Sequence, residues 1–393
     1  MSTSVKYFHS ELPGAPVLSG TAGSLIAVLD ACLVNGWGLL TAQSANVTSE
    51  VCTLNFSTGH AFEPLVVAQT AGAATAAING DHRIISTTTN SISFAAPGVP
   101  DGPVSGTITA KIAPAGWIKP YAGTNKGAYK SPAPNASGCV ARIDDTLARY
   151  ARLRAYKSMT DVDTGDGPTP VEAQLSGGLY IPKSNVADTS SRRWVVVATE
   201  KFVHLAIATS SIYPNDYASI AFGDFPSLKA GDAFNFLVVG DTLDTSGSGS
   251  PGIGNALHVG GGSAGAYIVC SYAQVGGSIP AYLYKPGFHV PAAYSGQQGS
   301  GITWPPGPNP INGAIEICPT LVLEGSLTSG SRRGELPGLY GIPHALGAAF
   351  DSKDTLTPAI GLPGHVLVAL RFHGYATAAQ SSRFAIDVTG PWE

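Results

Sequence analysis

Arg193-Trp194-Val195-Val196-Val197-Ala198 and Phe202-Val203-His204-Leu205-Ala206-Ile207 decide the fold class of this chain. Both runs are short, β-branched or aromatic, and apolar at successive positions, which is the composition of a strand. A strand with one wet face alternates apolar and polar residues. One that is apolar on both faces belongs in a sandwich core or beneath a second layer. Gly178-Leu179-Tyr180-Ile181, Ala218-Ser219-Ile220-Ala221-Phe222 and Ala233-Phe234-Asn235-Phe236-Leu237-Val238-Val239 read the same way, and residues 113–245 are expected to form a β-sandwich-like domain.

Upstream, residues 46–112 read as a small closed β-barrel. Val51-Cys52-Thr53-Leu54-Asn55-Phe56, Val66-Val67-Ala68, Arg83-Ile84-Ile85-Ser86, Ser91-Ile92-Ser93-Phe94 and Gly106-Thr107-Ile108-Thr109-Ala110-Lys111 are short strands, with turns at Gly59-His60 and Ile78-Asn79-Gly80. Closure removes exposed strand edges. Downstream, Asp241 to Gly262 is a Gly/Ser-rich loop or boundary, and residues 246–393 read as a C-terminal β domain. That domain is crossed by the proline-rich Pro305–Pro310 and closes with strands around His365–Phe372 and Arg383–Thr389.

Two segments carry helical signals. Leu25, Val28, Leu29, Cys32 and Leu33 fall on one helical face, with Thr21 or Ser24 as N-cap and Gly36 as stop. Asp144 to Tyr156 is either a helix or a hairpin, because Arg152-Leu153-Arg154-Ala155-Tyr156 alternates. Residues 1–45 are read as a docking arm followed by the short helix. Residues 1–20 hold Pro13 and Pro16 and no periodicity, and such an arm orders only by laying Tyr7, Phe8, Val17 and Leu18 on another surface. The expected fold class is therefore mainly β and multi-domain, a small barrel plus β-sandwich-like domains with one short N-terminal helix.

Composition narrows the function. Of 393 residues, 48 are Gly and 29 Pro, 44% are hydrophobic and only 12% are charged, about half the usual ~25%. Lys+Arg 22 against Asp+Glu 26 gives a net charge of −4, which is no footprint for nucleic acid or an anionic membrane. A surface this poor in charge suits a protein covered by copies of itself or by partners. Met1–Lys6 lacks the apolar core of a signal peptide, and Leu25–Val34, interrupted by Asp30, falls far short of the ~20 residues of a membrane span. The cysteines Cys32, Cys52, Cys139, Cys270 and Cys318 are scattered without a C-x-x-C pair, and are read as buried thiols in a reducing compartment.

Several stretches carry a resemblance. Val5-Lys6-Tyr7-Phe8-His9-Ser10, Pro13 to Ile26, Met159 to Gly165, Ser176 to Tyr180, Leu336-Pro337-Gly338-Leu339-Tyr340, Leu362-Pro363-Gly364 and Asp387-Val388-Thr389-Gly390-Pro391-Trp392 look like virion structural proteins of tailed phages and prophages of Gram-negative bacteria. The segment 46–112 is similar to a small β-barrel that recurs in phage tail and capsid proteins. The resemblance spans the chain, but none of its motifs is catalytic. It implies a structural part of the particle, made in the host bacterial cytoplasm and located in the virion. Tail or baseplate comes first, with head decoration or a tail-tip receptor- or glycan-binding protein as alternatives. The implied partners are copies of itself and other virion proteins, with a host receptor or glycan under the last alternative, and without nucleic acid or membrane insertion.

Five patterns carry chemical content. Gly261-Gly262-Ser263-Ala264-Gly265, with His258 upstream, matches G-x-S-x-G, but a nucleophile elbow needs a strand before the serine and a helix after it; here a glycine run precedes and a strand follows. Asp161-Val162-Asp163-Thr164-Gly165-Asp166-Gly167 with Glu172 has some of the oxygens of a calcium loop. However, Asp166 stands where glycine is expected, with Pro168 and Pro170 beyond, and a capped turn is the simpler reading. His204 and His365 lie within apolar strands and are read as hydrogen-bonded core or interface residues. Asp144-Asp145 are strand neighbours that point to opposite faces and make no acid/base pair. Tyr282, Tyr284, Phe288, Tyr294 and Trp304 are aromatics for a core, an interface or a sugar. No catalytic, cofactor-binding or metal-ligating residue is assigned, no cofactor is expected, and the chain is read as a non-enzyme.

Overall fold

The computed structural model describes residues 2–244, 264–284, 309–326, 329–342, 353–356, 362–372 and 382–392. The protein is mainly β, with a closed eight-stranded barrel, a larger curled sheet and one short helix. The barrel runs in the order Trp37–Thr41, Gly106–Ile112, Val67–Ala73, Gly80–Thr87, Ser91–Ala95, Val51–Asn55, Ser44–Thr48 and Gly102–Pro103. Its first and seventh strands are two legs of one bent segment joined at Ala42 and Gln43, and this bend brings the sheet back on itself. Inward positions alternate with outward ones, and the facing pairs Val47↔Cys52, Cys52↔Phe94 and Leu54↔Ile92 are all buried. The barrel starts at Trp37, earlier than the boundary read from sequence, because Trp37–Thr41 pairs Gly106–Ile112.

The curled sheet begins with Ile118–Gly123, Lys126–Lys130, Val140–Asp144, Tyr150–Tyr156 and Leu179–Pro182, each antiparallel to the next. Asp144 to Tyr156 is thus a hairpin arm and not a helix, with Asp144 opposite Arg152. The sheet continues through Phe236–Asp241, Asp216–Asp224, Phe202–Ile207 and Trp194–Ala198. Phe236–Asp241 also pairs Ala264–Ile268, so the sheet crosses the boundary expected near 245 without a break. From there Ile279–Tyr284, Cys318–Glu324, Ser331–Gly341, Ser382–Asp387 and Leu367–Phe372 follow. The last returns to Asp216–Asp224 through the parallel pairs Asp216↔Arg371 and Tyr217↔Phe372, closing a second ring.

The strands that decided the fold class are buried on both faces. Trp194, Val196, Leu205, Ile220, Phe222 and Val238 face one core with the helix, Ile143 and Leu153. Val195, Val197, Ala221, Leu237 and Val239 face another with Leu339, Leu370 and Ile386. That is why polar positions are missing from these runs.

The helix Ser24–Leu29 continues as a π-helical turn, Asp30–Asn35, and buries Leu25, Val28, Leu29, Cys32 and Leu33 as its spacing predicts. Gly36 ends it at φ 67, where an added Cβ would lie 2.1 Å from the Ile112 carbonyl oxygen. The N-cap differs from expectation. Gly23 occupies that position at φ 82, Ser24 Oγ donates back to the Ser19 and Thr21 carbonyls, and the free amides are met by a side chain distant in sequence, Asp145.

The N-terminal arm is also corrected. Lys6–His9 is a strand paired with Trp194–Ala198 of the same chain, and Tyr7, Phe8 and Leu18 are buried in its own cores. The open edge of Trp194–Ala198 offered the surface the arm required. Of the four residues expected to dock, Val17 alone is exposed.

Candidate functional site

Both ends of the chain, the barrel and the curled sheet meet around a cavity of about 610 Å³. One wall is polar. Lys6, on the first strand, donates through Nζ to Asp81 Oδ2 at 2.5 Å and to the Thr3 carbonyl, and Gln69 approaches Asp81 Oδ1 at 3.4 Å. Burial pulls the Lys6 ammonium below its ordinary range, against the opposing pull of Asp81. Glu200 and Lys201 project from the turn between Trp194–Ala198 and Phe202–Ile207, and Asp224 lies behind them. Burial pushes the Asp224 carboxyl up, although Ser137 donates to it from its amide at 2.7 Å and its hydroxyl at 2.5 Å.

Phe202, Pro226, Pro337, Pro391 and Trp392 also line the cavity. Trp392 is fixed by its indole N–H, which donates to the Asp387 carbonyl at 2.9 Å. It also lies against Gly338, whose φ of +67 and missing Cβ leave room for the ring. His204 packs edge-on to Trp392 at 5.4 Å and bonds the Pro337 carbonyl through Nε2 at 2.7 Å. Arg83 ties the barrel to the arm by donating to the carbonyls of Ser2, Val5 and Leu65. Burial lowers its guanidinium to about 10, against the opposing pull of Asp387.

Chemically the cavity offers paired donors and acceptors together with aromatic and proline side chains. Among the described residues that line it there is no cysteine or histidine, and the hydroxyls of Ser2 and Ser4 bond each other. Among the described residues no group of three or more His, Cys, Asp or Glu side chains is placed to hold a metal ion.

The residues singled out by sequence lie elsewhere, apart from His204. Ser263 and His258 fall outside the described residues, as do Phe288, Tyr294 and Trp304. Tyr282 and Tyr284 sit half-buried on the strand Ile279–Tyr284. Asp161 caps its own turn, accepting the amides of Asp163 and Thr164 at 2.8 Å. Asp163 is held by Lys126 and Arg142, and Glu172 by Arg154 and the Gly177 amide; these partners lower both carboxyls, Glu172 to about 2. His365 bonds Asp387 at 2.7 Å. Asp144 pairs with Arg142, whereas Asp145 turns inward to Lys183. All five cysteines are free and buried.

Two buried charge clusters were not legible in the sequence. Arg333, fully buried, meets Asp232 at 2.8 and 3.0 Å and Glu324 at 2.5 Å. Lys183 meets Asp145. Both join residues distant in the chain, Arg333 to Asp232 and Lys183 to Asp145, and no local pattern marks them.

Compared with known proteins, the chain matches no family model and no curated relative.

Proposed function

We propose that this chain is a structural component of a tailed-phage particle, in the tail or baseplate, working as a homo-oligomer alongside other virion proteins. The observation that carries the reading is a convergence. Val5–Ser10, Leu336–Tyr340 and Asp387–Trp392, three of the stretches that carry the resemblance, meet at the junction of arm, barrel and sheet. They serve there as construction: a strand pairing, a ring-fitting glycine and an anchored tryptophan.

A second feature supports self-association. The strand register places residues 10–23, 145–149, 183–193 and 208–215 at one end of the curled sheet. Val17, Leu147, Val186, Ile212 and Tyr213 stand exposed on these loops, Ile212 at 76%. Apolar loop tips of this kind fit contact with another subunit.

The test is light scattering on the purified chain, combined with quantitative gels of purified virions. A concentration-dependent oligomer present in a symmetric copy number is expected. A strict monomer absent from virions refutes the reading. The cavity favours a second reading, glycan binding in the space that Trp392 lines together with Gln69 and Asp81. Saccharide-dependent quenching of tryptophan fluorescence that is lost in Trp392→Ala would establish it.

A further inference from the structure

We propose that Lys183 and Asp145 become joined in the folded protein by an amide bond between Nζ and Cγ, a self-formed cross-link made with loss of one water. Independently of the functional reading, three observations carry this.

The first is isolation. Both side chains are 0% exposed, inside a core that includes Leu25, Ile143, Leu153 and Ile181. Two full charges sealed from water are costly, and transfer of the proton from ammonium to carboxylate gives a neutral amine beside a neutral acid. Burial acts in that direction on both partners, lowering the Lys183 ammonium and raising the Asp145 carboxyl.

The second is placement. Lys183 Nζ contacts Asp145 Oδ1 and also reaches the carbonyl oxygens of Thr21 at 2.8 Å and Leu147 at 2.9 Å. Both backbones are held at this point. Asp145 donates its amide to the Asn125 carbonyl and accepts from Gly23, while Lys183 donates its amide to the Arg149 carbonyl. Two reactants fixed in contact gain the rate advantage of an intramolecular step.

The third is the other carboxyl oxygen. Asp145 Oδ2 accepts the backbone N–H groups of Leu25 at 2.8 Å and Ile26 at 3.4 Å. Donors aimed at this atom stabilise the negative charge that gathers on it when an amine adds to the carbon.

The step balances without a co-reactant. The Nζ lone pair forms the bond to Cγ, and the C=O electrons move onto Oδ2. One Nζ proton passes to the Oδ1 hydroxyl, the Cγ–Oδ1 bond breaks, and water departs as the Cγ=Oδ2 double bond re-forms. The product is a neutral secondary amide. It removes the buried charges and staples the end of Val140–Asp144 to the end of Leu179–Pro182.

Intact mass spectrometry of the folded full-length chain tests the proposal, followed by tryptic mapping. The expected mass is one water below that of the sequence. The expected map has a branched peptide joining Ile143–Arg149 to a segment uncleaved at Lys183. Lys183→Met should show the full mass, and persistence of the water loss in that variant overturns the proposal. So does an unreduced mass in folded, aged wild-type protein. So does a water loss that maps to Asp101-Gly102 or Asp166-Gly167, where an aspartyl cyclisation would place it.

Discussion

Acidification acts on His204 in a direction and size that the structure defines. The imidazole is buried, its Nε2 donates to the Pro337 carbonyl at 2.7 Å, and its buried Nδ1 has no acceptor among the described residues. Protonation would place a cation and an unpaired N–H between Phe202 and Trp392, whose rings lie 5.0 and 5.4 Å away. Burial accordingly lowers the folded-state value from 6.5 to about 4. Between those two values the unfolded chain binds a proton that the folded chain refuses, so stability falls as pH drops. The contribution is intact above 6.5 and lost progressively down to about 4. At 1.36 kcal/mol for each pKa unit, the full loss is about 3 kcal/mol, most of it reached by about pH 4.5. Urea unfolding of the wild type and His204→Gln at about pH 7 and about pH 4.5 isolates this term, because glutamine can still donate to Pro337 but does not titrate. The wild type should lose about 2 kcal/mol more than the variant over that interval. Equal losses in the two proteins, or an imidazole NMR titration centred near 6.5, would refute the argument.

Gly338→Ala forces a Cβ to 2.2 Å from Trp392 at φ +67, and should cost about 3 kcal/mol while changing the near-ultraviolet circular dichroism of the indole. Arg83→Met removes donors from the Ser2, Val5 and Leu65 carbonyls; it should cost about 2 kcal/mol and accelerate amide exchange across the arm. Deleting residues 2–18 strips the paired strand Lys6–His9 and the buried Tyr7 and Phe8, so the truncated chain should melt well below the full one, and an unchanged melting temperature would count against the pairing. Asp163→Asn should cost under ~1 kcal/mol, since Asp163 is more than half exposed beside Lys126 and Arg142. Those cations lower its carboxyl, so the contribution stands above the unfolded value and fades as pH falls through the folded one.

What could be read from the chain alone was local. The doubly apolar runs at 193–207, the alternation at Ser91–Ala95 and the helical face Leu25–Leu33 each state their environment through a period of a few residues, and the structure gives each the burial that period implies. A barrel was legible in residues 46–112 because each strand there is short, alternating and bounded by turn residues, although four of its pairings, such as Trp37–Thr41 with Gly106–Ile112, join strands that are not neighbours in sequence. Other features required the fold. The helix amides are met by Asp145, Lys183 lies 38 positions from its carboxylate, and Arg333 lies 101 from Asp232. An isolated charge in a sequence looks the same whether it will be solvated or sealed. Only the meeting of strands, and the water they exclude, decides that Arg332 stays at the surface while Lys183 does not. The arm makes the point most plainly: its prolines and lack of period correctly described a segment that cannot order itself, but the surface that orders it is an open strand edge almost two hundred residues away, and edge pairing leaves no mark on the residues between.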